Sequence, residues 1–248
     1  MRAMEASEPL SPAGSAAPPS QRFWSRWASG VFAWWAAMAI AAPFDLQISR
    51  SLSGQSPPLV YAVQKYGQWP GRFCAIVAVV ALLFSFSRLS FSKLVASDRA
   101  LRWLAVSIIL LMLVDQLLIT QSLKSVWGRV RFRDLDPAFA NYTAFFQSAG
   151  RSAGQSFPSG HVAMALVFTP IPFFLYSLKS RWALASLLAV VAYGLLVVYG
   201  RIAAGAHYLT DCIFSFGLAW LVGSLASYWA LARLHRERSN RASQVDQR

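Results

Sequence analysis

The sequence predicts an all-α membrane protein, a bundle of about six transmembrane helices. Hydrophobic residues make up 56% of the 248 residues and the mean hydropathy is +0.43, which is too apolar for an ordinary soluble domain. The apolar residues are gathered into about six stretches, each close to the roughly 20 residues that a helix needs to cross a bilayer. Charged residues, 13% of the chain, lie mostly between these stretches.

These stretches occupy most of the chain, so a single domain is expected. Residues 1–21, rich in Pro, Ser and Ala, are predicted to be a disordered cytoplasmic leader, residues 22–234 the transmembrane domain and residues 235–248 a polar basic cytoplasmic tail. The first span is alternatively a cleaved signal sequence, because Ala39-Ile40-Ala41 resembles a signal-peptidase site. The spans are predicted at residues 27–43, 72–90, 103–122, 160–178, 182–199 and 209–231.

The distribution of Lys and Arg predicts the orientation of the bundle. Fourteen of the 23 cationic residues lie on the side that carries both termini, and three of the other nine belong to the motifs described below. Cytoplasmic loops of membrane proteins carry the excess of positive charge. We therefore expect cytoplasmic termini and extracytoplasmic motif loops, in a multi-pass protein of a bacterial inner or cell membrane.

The net charge of +13 could also indicate a nucleic-acid-binding protein. Most of this charge is spread over loops beside the spans, however, where membrane topology explains it. When these loops are set aside, one concentrated basic cluster is left, in residues 124–151. Nucleic acid is therefore not expected as a partner.

The spacing of Arg201, His207 and Asp211 indicates a nucleophile. If residues 207–211 open the last helix, His207 and Asp211 lie four residues apart on one face. A carboxylate that accepts a hydrogen bond from one imidazole nitrogen fixes the tautomer and leaves the other nitrogen free to attack. The alternative is a His–Asp pair that only satisfies a buried polar site.

The segment Pro158-Ser159-Gly160-His161 precedes an apolar run and is typical of a helix start. Ser159 is a candidate N-cap, and Gly160 allows the backbone to approach a ligand. The free amides of a helix start bind phosphate oxygens, and His161 could protonate a leaving oxygen and then deprotonate water. The alternative is a plain helix cap with an interfacial histidine.

Lys124 and Arg131 are seven residues apart, which is about two helical turns. Together with Arg201 they would supply three cations for a group that carries about two negative charges, and Arg donors match phosphate geometry. For Arg129 and Arg133 we expect instead a juxtamembrane role, attraction to anionic head groups.

Taken together, the three blocks resemble the type 2 phosphatidic acid phosphatase family, whose signature is Lys-x6-Arg-Pro, Pro-Ser-Gly-His and Ser-Arg-x5-His-x3-Asp. The matching stretches are KSVWGRVRF from Lys124, PSGH from Pro158 and GRIAAGAHYLTD from Gly200. Phe132 replaces the proline of the first motif and Gly200 the serine of the third. Neither change removes a charge or a proton-transfer group, so retained activity with altered loop shape or phosphate contacts is expected.

The resemblance implies a membrane phosphatase in which His207 attacks phosphorus, forming a phosphohistidine, and Asp211 orients it. His161 would serve the leaving group and then water. No metal or other cofactor is implied, since fixed cations would stabilise the developing charge. The implied phosphate-binding residues are Lys124, Arg131, Ser159, Gly160 and Arg201.

A site at the mouth of apolar helices favours a lipid phosphate or a polyprenyl pyrophosphate as substrate, with membrane lipids as further partners. Residues 45–71 are either an interfacial element that guides the lipid tail or a plain connector. Two other functions stay open: transfer of the phosphate to an acceptor other than water, and non-enzymatic binding of anionic lipid. The sequence does not predict the oligomeric state.

The sequence also allows predictions for three residues outside the motifs. Asp115 lies inside the third span, where an ionisable side chain is costly, so it is expected to make a structural hydrogen bond or to position helices near the site. Cys74 and Cys212 are expected to be free thiols rather than a disulfide.

Overall fold

The computed structural model describes residues 21–54, 57–86, 99–151 and 153–246, and its regular elements in these ranges are helices. Six helical segments are long and apolar enough to cross a membrane, which confirms the predicted number. Except for Gln21, the predicted leader lies outside the described residues. The candidate spans are Phe23–Leu52, Pro58–Ser85, Arg99–Asp134, Gly160–Ser177, Ala183–Ala203 and Leu209–Arg241.

Ten α-helices build these spans and the short segments between them, within the described part of the chain. A π-helix, Met112–Thr120, joins α5 to α6, and the segments Ala42–Phe44 and Phe132–Asp134 are 3-10 turns. The helices are α1 (Gln21–Ala41), α2 (Asp45–Leu52), α3 (Pro58–Tyr66), α4 (Trp69–Phe86), α5 (Arg99–Leu111), α6 (Gln121–Trp127), α7 (Gly160–Ala165), α8 (Pro170–Ser177), α9 (Ala183–Ala203) and α10 (Leu209–Asp246).

The fourth span is interrupted and lies at the centre of the bundle. Helix α7 ends at Ala165 and α8 begins at Pro170, which lacks the N–H that a continuous helix would need there. Val162, Ala165 and Leu166 belong to the main apolar core, where they meet residues of α9 and α10. The first turn of α7 is thereby fixed by the surrounding helices.

The last helix continues beyond the predicted span, through most of the segment expected to be a tail. The Glu237 carboxylate accepts hydrogen bonds from the Arg102 guanidinium, at 2.9 Å, and from the Trp103 indole, at 3.2 Å. These contacts join the end of α10 to the beginning of α5. Helix α10 therefore lies against α5 along much of its length.

The described residues between 45 and 71 are mostly helical, and α3 packs against α9. Val63 of α3 lies directly over Gly200 of α9, where an added Cβ would come within 2.7 Å of the Val63 Cβ. A serine at this position, as in the family motif, would collide with Val63. The departure at Gly200 is therefore a packing feature of the interface between α3 and α9.

Candidate active site

The three sequence blocks meet at one end of the bundle, where α6 ends, α7 begins and α9 leads into α10. The Ser156 amide donates to the Arg129 carbonyl at 2.8 Å, and the Ser159 amide to the Asp211 carbonyl at 3.3 Å. These bonds hold the connection between α6 and α7 against the start of α10. The residues brought together here are Lys124, Arg131, Ser159, Gly160, His161, Arg201, His207 and Asp211.

His207 is almost completely buried, with 2% of its surface exposed. Its Nδ1 lies 2.5 Å from the Ser156 carbonyl oxygen and 3.7 Å from Asp211 Oδ2. A carbonyl oxygen only accepts, so Nδ1 carries a proton and Nε2 keeps its lone pair. His207 and Asp211 lie within side-chain reach, as expected, but the Ser156 carbonyl is the closer partner of Nδ1, because α10 begins at Leu209 and His207 precedes it.

Asp211 lies in the first turn of α10 and accepts hydrogen bonds on both oxygens. Oδ2 receives the Ser156 hydroxyl at 2.5 Å and the Tyr208 amide at 2.9 Å, as a capping residue does when it reaches back to the residue before its helix. Oδ1 receives Arg129 at 2.7 Å. Since every partner is a donor, the surroundings favour the ionised carboxylate.

Arg129 is fully buried, so the expectation that it attracts lipid head groups was wrong. Its guanidinium donates to Asp45 at 2.9 Å, to Asp211 at 2.7 Å and to the Thr143 carbonyl at 3.0 Å, and it lies 4.0 Å from the centroid of the Tyr208 ring. A buried charge is tolerated only when it is paired and hydrogen-bonded in this way. Arg129 is thus part of the support of the site.

Asp45 is the second partner of Arg129, and sequence reasoning did not connect it with the site. Its carboxylate also receives the Thr210 amide at 2.9 Å and the Thr210 hydroxyl. Asp45 begins α2, far from the motifs along the chain, and no local pattern marks it. Arg129 and Arg131 alternate along the sequence, and this pattern likewise does not indicate which of the two side chains is buried.

The predicted phosphate ligands include buried polar atoms without a hydrogen-bond partner in the described part of the chain. These are Nε of Arg131 and Nε of Arg201, and the Ser159 hydroxyl, which has the weakly polar thiol of Cys212 beside it. Lys124 donates to the Gln155 carbonyl at 2.9 Å. Buried N–H and O–H donors normally make hydrogen bonds. Donors without a partner on two arginine side chains are therefore expected where an anion binds.

Gly160 lies at the beginning of α7 beside the cation of α6. A Cβ at this position would lie 3.6 Å from Lys124 Cε and 3.4 Å from Gln116 Nε2. These distances are ordinary or slightly tight contacts. A side chain would therefore fill the space between α7 and Lys124, and glycine leaves that space open to a ligand.

His161 is half-buried and is held by residues that sequence reasoning did not select. Its Nδ1 lies 2.8 Å from the side-chain nitrogen of Gln68, and its Nε2 lies 3.4 Å from the Gln64 carbonyl. Oε1 of Gln68 accepts from Arg72 at 2.5 Å. These partners come from the end of α3 and the start of α4, which carry no motif.

A cavity of about 480 Å³ lies between the α3 end of the chain and the segment that leads from α9 to His207. Arg133 contributes a cation to its wall, and Gln64 joins it to the surroundings of His161. Phe132, at the position of the family's proline, forms part of the wall and stacks on Phe139 with ring centroids 6.1 Å apart. The cavity is far larger than one phosphate needs and lies within the usual range for ligand pockets.

Burial lowers the pKa of His207 to about 4, and the cations Arg201 and Lys124 act in the same direction. Asp211 opposes this shift. The neutral imidazole is therefore favoured at physiological pH, as a nucleophile requires. Burial also raises the pKa of the Tyr208 phenol that lies beside Arg129.

The remaining expectations concern Asp115, the cysteines and metals. Asp115 is buried in the π-helix and accepts from the Thr120 hydroxyl at 3.3 Å, a spacing of five residues that matches the π-helical repeat. Cys74 and Cys212 are free thiols. Among the described residues, no group of three or more His, Cys, Asp or Glu side chains is placed to hold a metal ion. Metal independence stays a prediction.

Comparison with known proteins identifies relatives of this arrangement. The family model described as "PAP2 superfamily" matches residues 100–234, which include all three blocks. A crystal structure described as the first transmembrane PAP2-type phosphatidylglycerolphosphate phosphatase from Bacillus subtilis superposes with a TM-score of 0.55 at 22% identity, covering 82% of this chain and 94% of that one. No curated protein sequence matches the chain.

Proposed function

The chain belongs to the PAP2 superfamily, and from this premise we propose that it is an integral membrane phosphatase. Its proposed reaction is hydrolysis of a lipid phosphate or pyrophosphate monoester, with release of inorganic phosphate. The observation that carries the proposal is the neutral His207, whose Nδ1 proton is engaged with the Ser156 carbonyl. Its lone pair on Nε2 is thereby available beside Arg201 and Lys124.

In the first step, His207 Nε2 attacks phosphorus while the bond from phosphorus to the leaving oxygen breaks. His161 donates a proton to that oxygen, so the lipid leaves as a neutral alcohol or as the shorter phosphate. The products of this step are a phosphohistidine at His207 and the freed lipid. Transfer in two steps replaces one difficult displacement by two easier ones.

In the second step, water attacks the phosphohistidine and gives its proton to His161. Inorganic phosphate leaves and His207 regains its lone pair. The same imidazole thus acts as acid and then as base, which requires access to both the leaving group and water. Half-burial of His161, whose Nε2 lies 3.4 Å from the carbonyl of the cavity-lining Gln64, supports this role.

The phosphate would be bound by Lys124, Arg131 and Arg201, with the Ser159 hydroxyl and the backbone at Gly160. Buried donors aimed at the positions where negative charge develops stabilise the transition state without reorganisation. Fixed cations would therefore do the electrostatic work that metal ions do in other phosphatases. The unpaired Nε atoms of Arg131 and Arg201 support this assignment.

A lipid substrate is supported by the position of the site at the ends of apolar helices. Helices α4 and α9 expose large apolar side chains that are suited to contact with acyl chains. Among them are Phe73, Leu83, Leu184 and Leu188. The scissile phosphate would enter the cationic cluster while the tail stays in the bilayer.

A release assay over a panel of lipid phosphates tests the proposal, with phosphatidate, a polyprenyl pyrophosphate and phosphatidylglycerol phosphate presented in detergent with a chelator. We expect inorganic phosphate from at least one lipid, no loss with chelator, and no release by His207→Ala. The matched control is His235→Ala, which changes the histidine outside the site and should leave release unchanged. Release that persists in folded His207→Ala would refute the phosphohistidine. Phosphate found only on an added acceptor would indicate transfer in place of hydrolysis.

We also propose that the site faces the extracytoplasmic side and that both termini are cytoplasmic, as the distribution of cations predicts. A cysteine at the exposed Ala138, between α6 and α7, should react with an impermeant thiol reagent added to intact cells. One at Ser239, near the end of α10, should react only after lysis. The reverse pattern would overturn the orientation.

A further inference from the structure

The cavity of about 480 Å³ shares its wall with the chain segments that carry the candidate site residues. Arg133 lines the cavity two residues after Arg131. Residues 203–205 line it from the connection that leads from Arg201 to His207. Because neighbouring Cα atoms are only about 3.8 Å apart, a substrate whose phosphate is bound by these side chains has its next groups close to the cavity.

The backbone holds Arg133 in this wall. The Arg133 amide donates to the Gly205 carbonyl at 3.0 Å, and a Cβ at Gly205 would lie 3.1 Å from the Arg133 Cβ. Next to it, the Phe132 ring stacks on Phe139, and the Arg50 guanidinium lies 4.2 Å from the centroid of the Phe139 ring. The base of the Arg133 side chain is thus fixed against the connection between α9 and α10.

Arg133 adds a positive charge beside cations that already repel one another. The charges of Arg131 and Arg133 both act on Arg201, and Lys124 is repelled by the two arginines nearest to it. In the described part of the chain, Arg133 forms an ion pair with Asp134 at 3.7 Å, between side chains that are 44% and 55% exposed. Such exposed pairs stabilise little. An anionic group in the cavity would reduce the repulsion and could accept a charge-assisted hydrogen bond from Arg133.

The composition of the wall favours a head group over an acyl chain as the occupant. A charged side chain that faces an acyl chain loses hydration without gaining a partner, which disfavours a lipid tail beside Arg133. The wall also includes Ser53, Tyr61 and Gln64, which carry polar groups. The Gln64 carbonyl lies 3.4 Å from His161 Nε2, so the wall reaches the group proposed to serve the leaving oxygen.

We propose that this cavity is a subsite for a second phosphate on the leaving-group side of the substrate, and that Arg133 binds this phosphate. The subsite rests on the proposed function, because it concerns the lipid whose scissile phosphate occupies the cationic cluster. A second phosphate is linked directly to the first in a polyprenyl pyrophosphate, and through a glycerol unit in phosphatidylglycerol phosphate. Phosphatidate has no second phosphate and should be the poorer substrate.

Arg133→Met distinguishes the two kinds of lipid in the phosphate-release assay. For a lipid with two phosphates, kcat/KM should fall about tenfold or more, mainly through KM, whereas for phosphatidate it should fall by less than about threefold. Arg133→Lys keeps the charge and should recover part of the loss. Ala204→Leu fills the cavity without removing a charge and should also impair hydrolysis of lipids with two phosphates. The control is Arg151→Met, which removes an exposed cation outside the cavity wall and should change neither.

Binding of small phosphonates tests the subsite without catalysis, since the reaction does not break their carbon–phosphorus bonds. Methylphosphonate has one anionic group, methylenediphosphonate has two close together, and propane-1,3-diphosphonate has two separated by three carbons. Thermal unfolding in detergent with a chelator measures their binding. We expect one diphosphonate to bind about tenfold more tightly than methylphosphonate, and Arg133→Met to remove this difference. The diphosphonate that binds more tightly shows whether the direct or the glycerol-like linkage fits.

The outcomes separate the subsite from the proposed function. If phosphate is released but Arg133→Met affects phosphatidate as much as the lipids with two phosphates, the subsite is refuted and the phosphatase stands. If the unaltered protein releases no phosphate from any lipid, the phosphatase is refuted, and the phosphonates still decide whether a second anion binds. A diphosphonate advantage that is absent, or that persists in Arg133→Met, would overturn the assignment of Arg133. Equal losses in Arg151→Met and Arg133→Met would do the same, because they would show a general charge effect.

Discussion

The two histidines of the site are held in contrasting ways. His207 is buried beside a charged network in which Arg129 joins Asp45 to Asp211, and its Nδ1 donates to a backbone carbonyl. His161 is half-buried, and its Nδ1 lies 2.8 Å from the side-chain nitrogen of the uncharged Gln68.

The contrast agrees with the two proposed roles. A nucleophile needs one lone pair in a fixed direction and a neutral ring, and burial next to an ordered network provides both. A group that first donates and then accepts a proton must change its charge during the cycle, so a neutral, rotatable partner and access to water suit it better. Each difference can be tested by substitution.

Loss of the proposed nucleophile, His207, should have the largest effect. His207→Ala is expected to lower the rate by about 10⁴-fold or more, in line with removal of other catalytic nucleophiles. An aryl phosphate with an activated leaving group should not restore the rate, because the missing lone pair is needed with any leaving group. The measurement is release of the aryl alcohol, with His235→Ala as control. Restored turnover would show that His207 is not the attacking group.

His161→Ala should lower hydrolysis of lipid phosphates by about 10²- to 10⁴-fold, the usual contribution of general acid–base catalysis. With the activated aryl phosphate, the first step should recover and the second should stay slow. One equivalent of aryl alcohol should then appear in a burst, and acid-labile phosphate should accumulate on the protein. A slow first step with the activated substrate would contradict the role of His161 as the acid of that step.

Arg129→Met tests the network behind His207. It leaves Asp45 and Asp211 buried without their counter-charge, so the free energy of unfolding should fall by about 3–5 kcal/mol. Adding Asp45→Asn removes one of the unpaired charges and should recover part of the loss. The exposed Arg133, whose ion pair with Asp134 spans 3.7 Å, gives a matched control, and Arg133→Met should change stability by less than about 1 kcal/mol. Thermal unfolding in detergent measures all three, and equal losses for Arg129→Met and Arg133→Met would contradict the network.

The lowered pKa of His207 predicts that activity persists at acid pH while stability decreases there. Because the folded value is about 4, the neutral nucleophile persists below its ordinary range, and kcat/KM should fall about tenfold per pH unit only below about pH 4. Since the unfolded histidine titrates near 6.5, the unfolded state binds more protons between pH 6.5 and 4, so the free energy of unfolding should decrease as pH falls through this window. NMR titration of His207 checks the pKa, and a value near 6.5 would contradict the effect of burial.

Gly200→Ser should have the smallest effect, about 1–3 kcal/mol of lost stability, because the new side chain meets Val63 in a packed contact. Val63→Ala makes room and should relieve most of the loss in the double variant. Thermal unfolding of the single and double variants measures the coupling. Independent, additive losses would contradict the contact.

Much of the fold and the chemical centre of the site follow from local pattern. Six apolar stretches predict six spans because a bilayer core imposes a length on every helix. His161, His207 and the cations could be selected because each lies at a span end in a recognisable spacing. The Ser156 carbonyl as the closest partner of His207 could not be predicted, since the helix begins two residues after His207 and the contact joins segments 51 residues apart.

The supporting residues carry no such signal. Asp45 is 84 residues from Arg129 along the chain, and Gln68 is 93 from His161, so their roles depend on how α2, α3 and α4 pack. Composition and motif spacing by themselves determined the membrane class, the number of spans and the candidate catalytic side chains, because those properties are set by hydrophobic length and residue chemistry. The tertiary structure alone decided which arginine is buried, which carbonyl receives the His207 proton and which amide faces His161, because burial and hydrogen-bond geometry arise only when distant segments pack together.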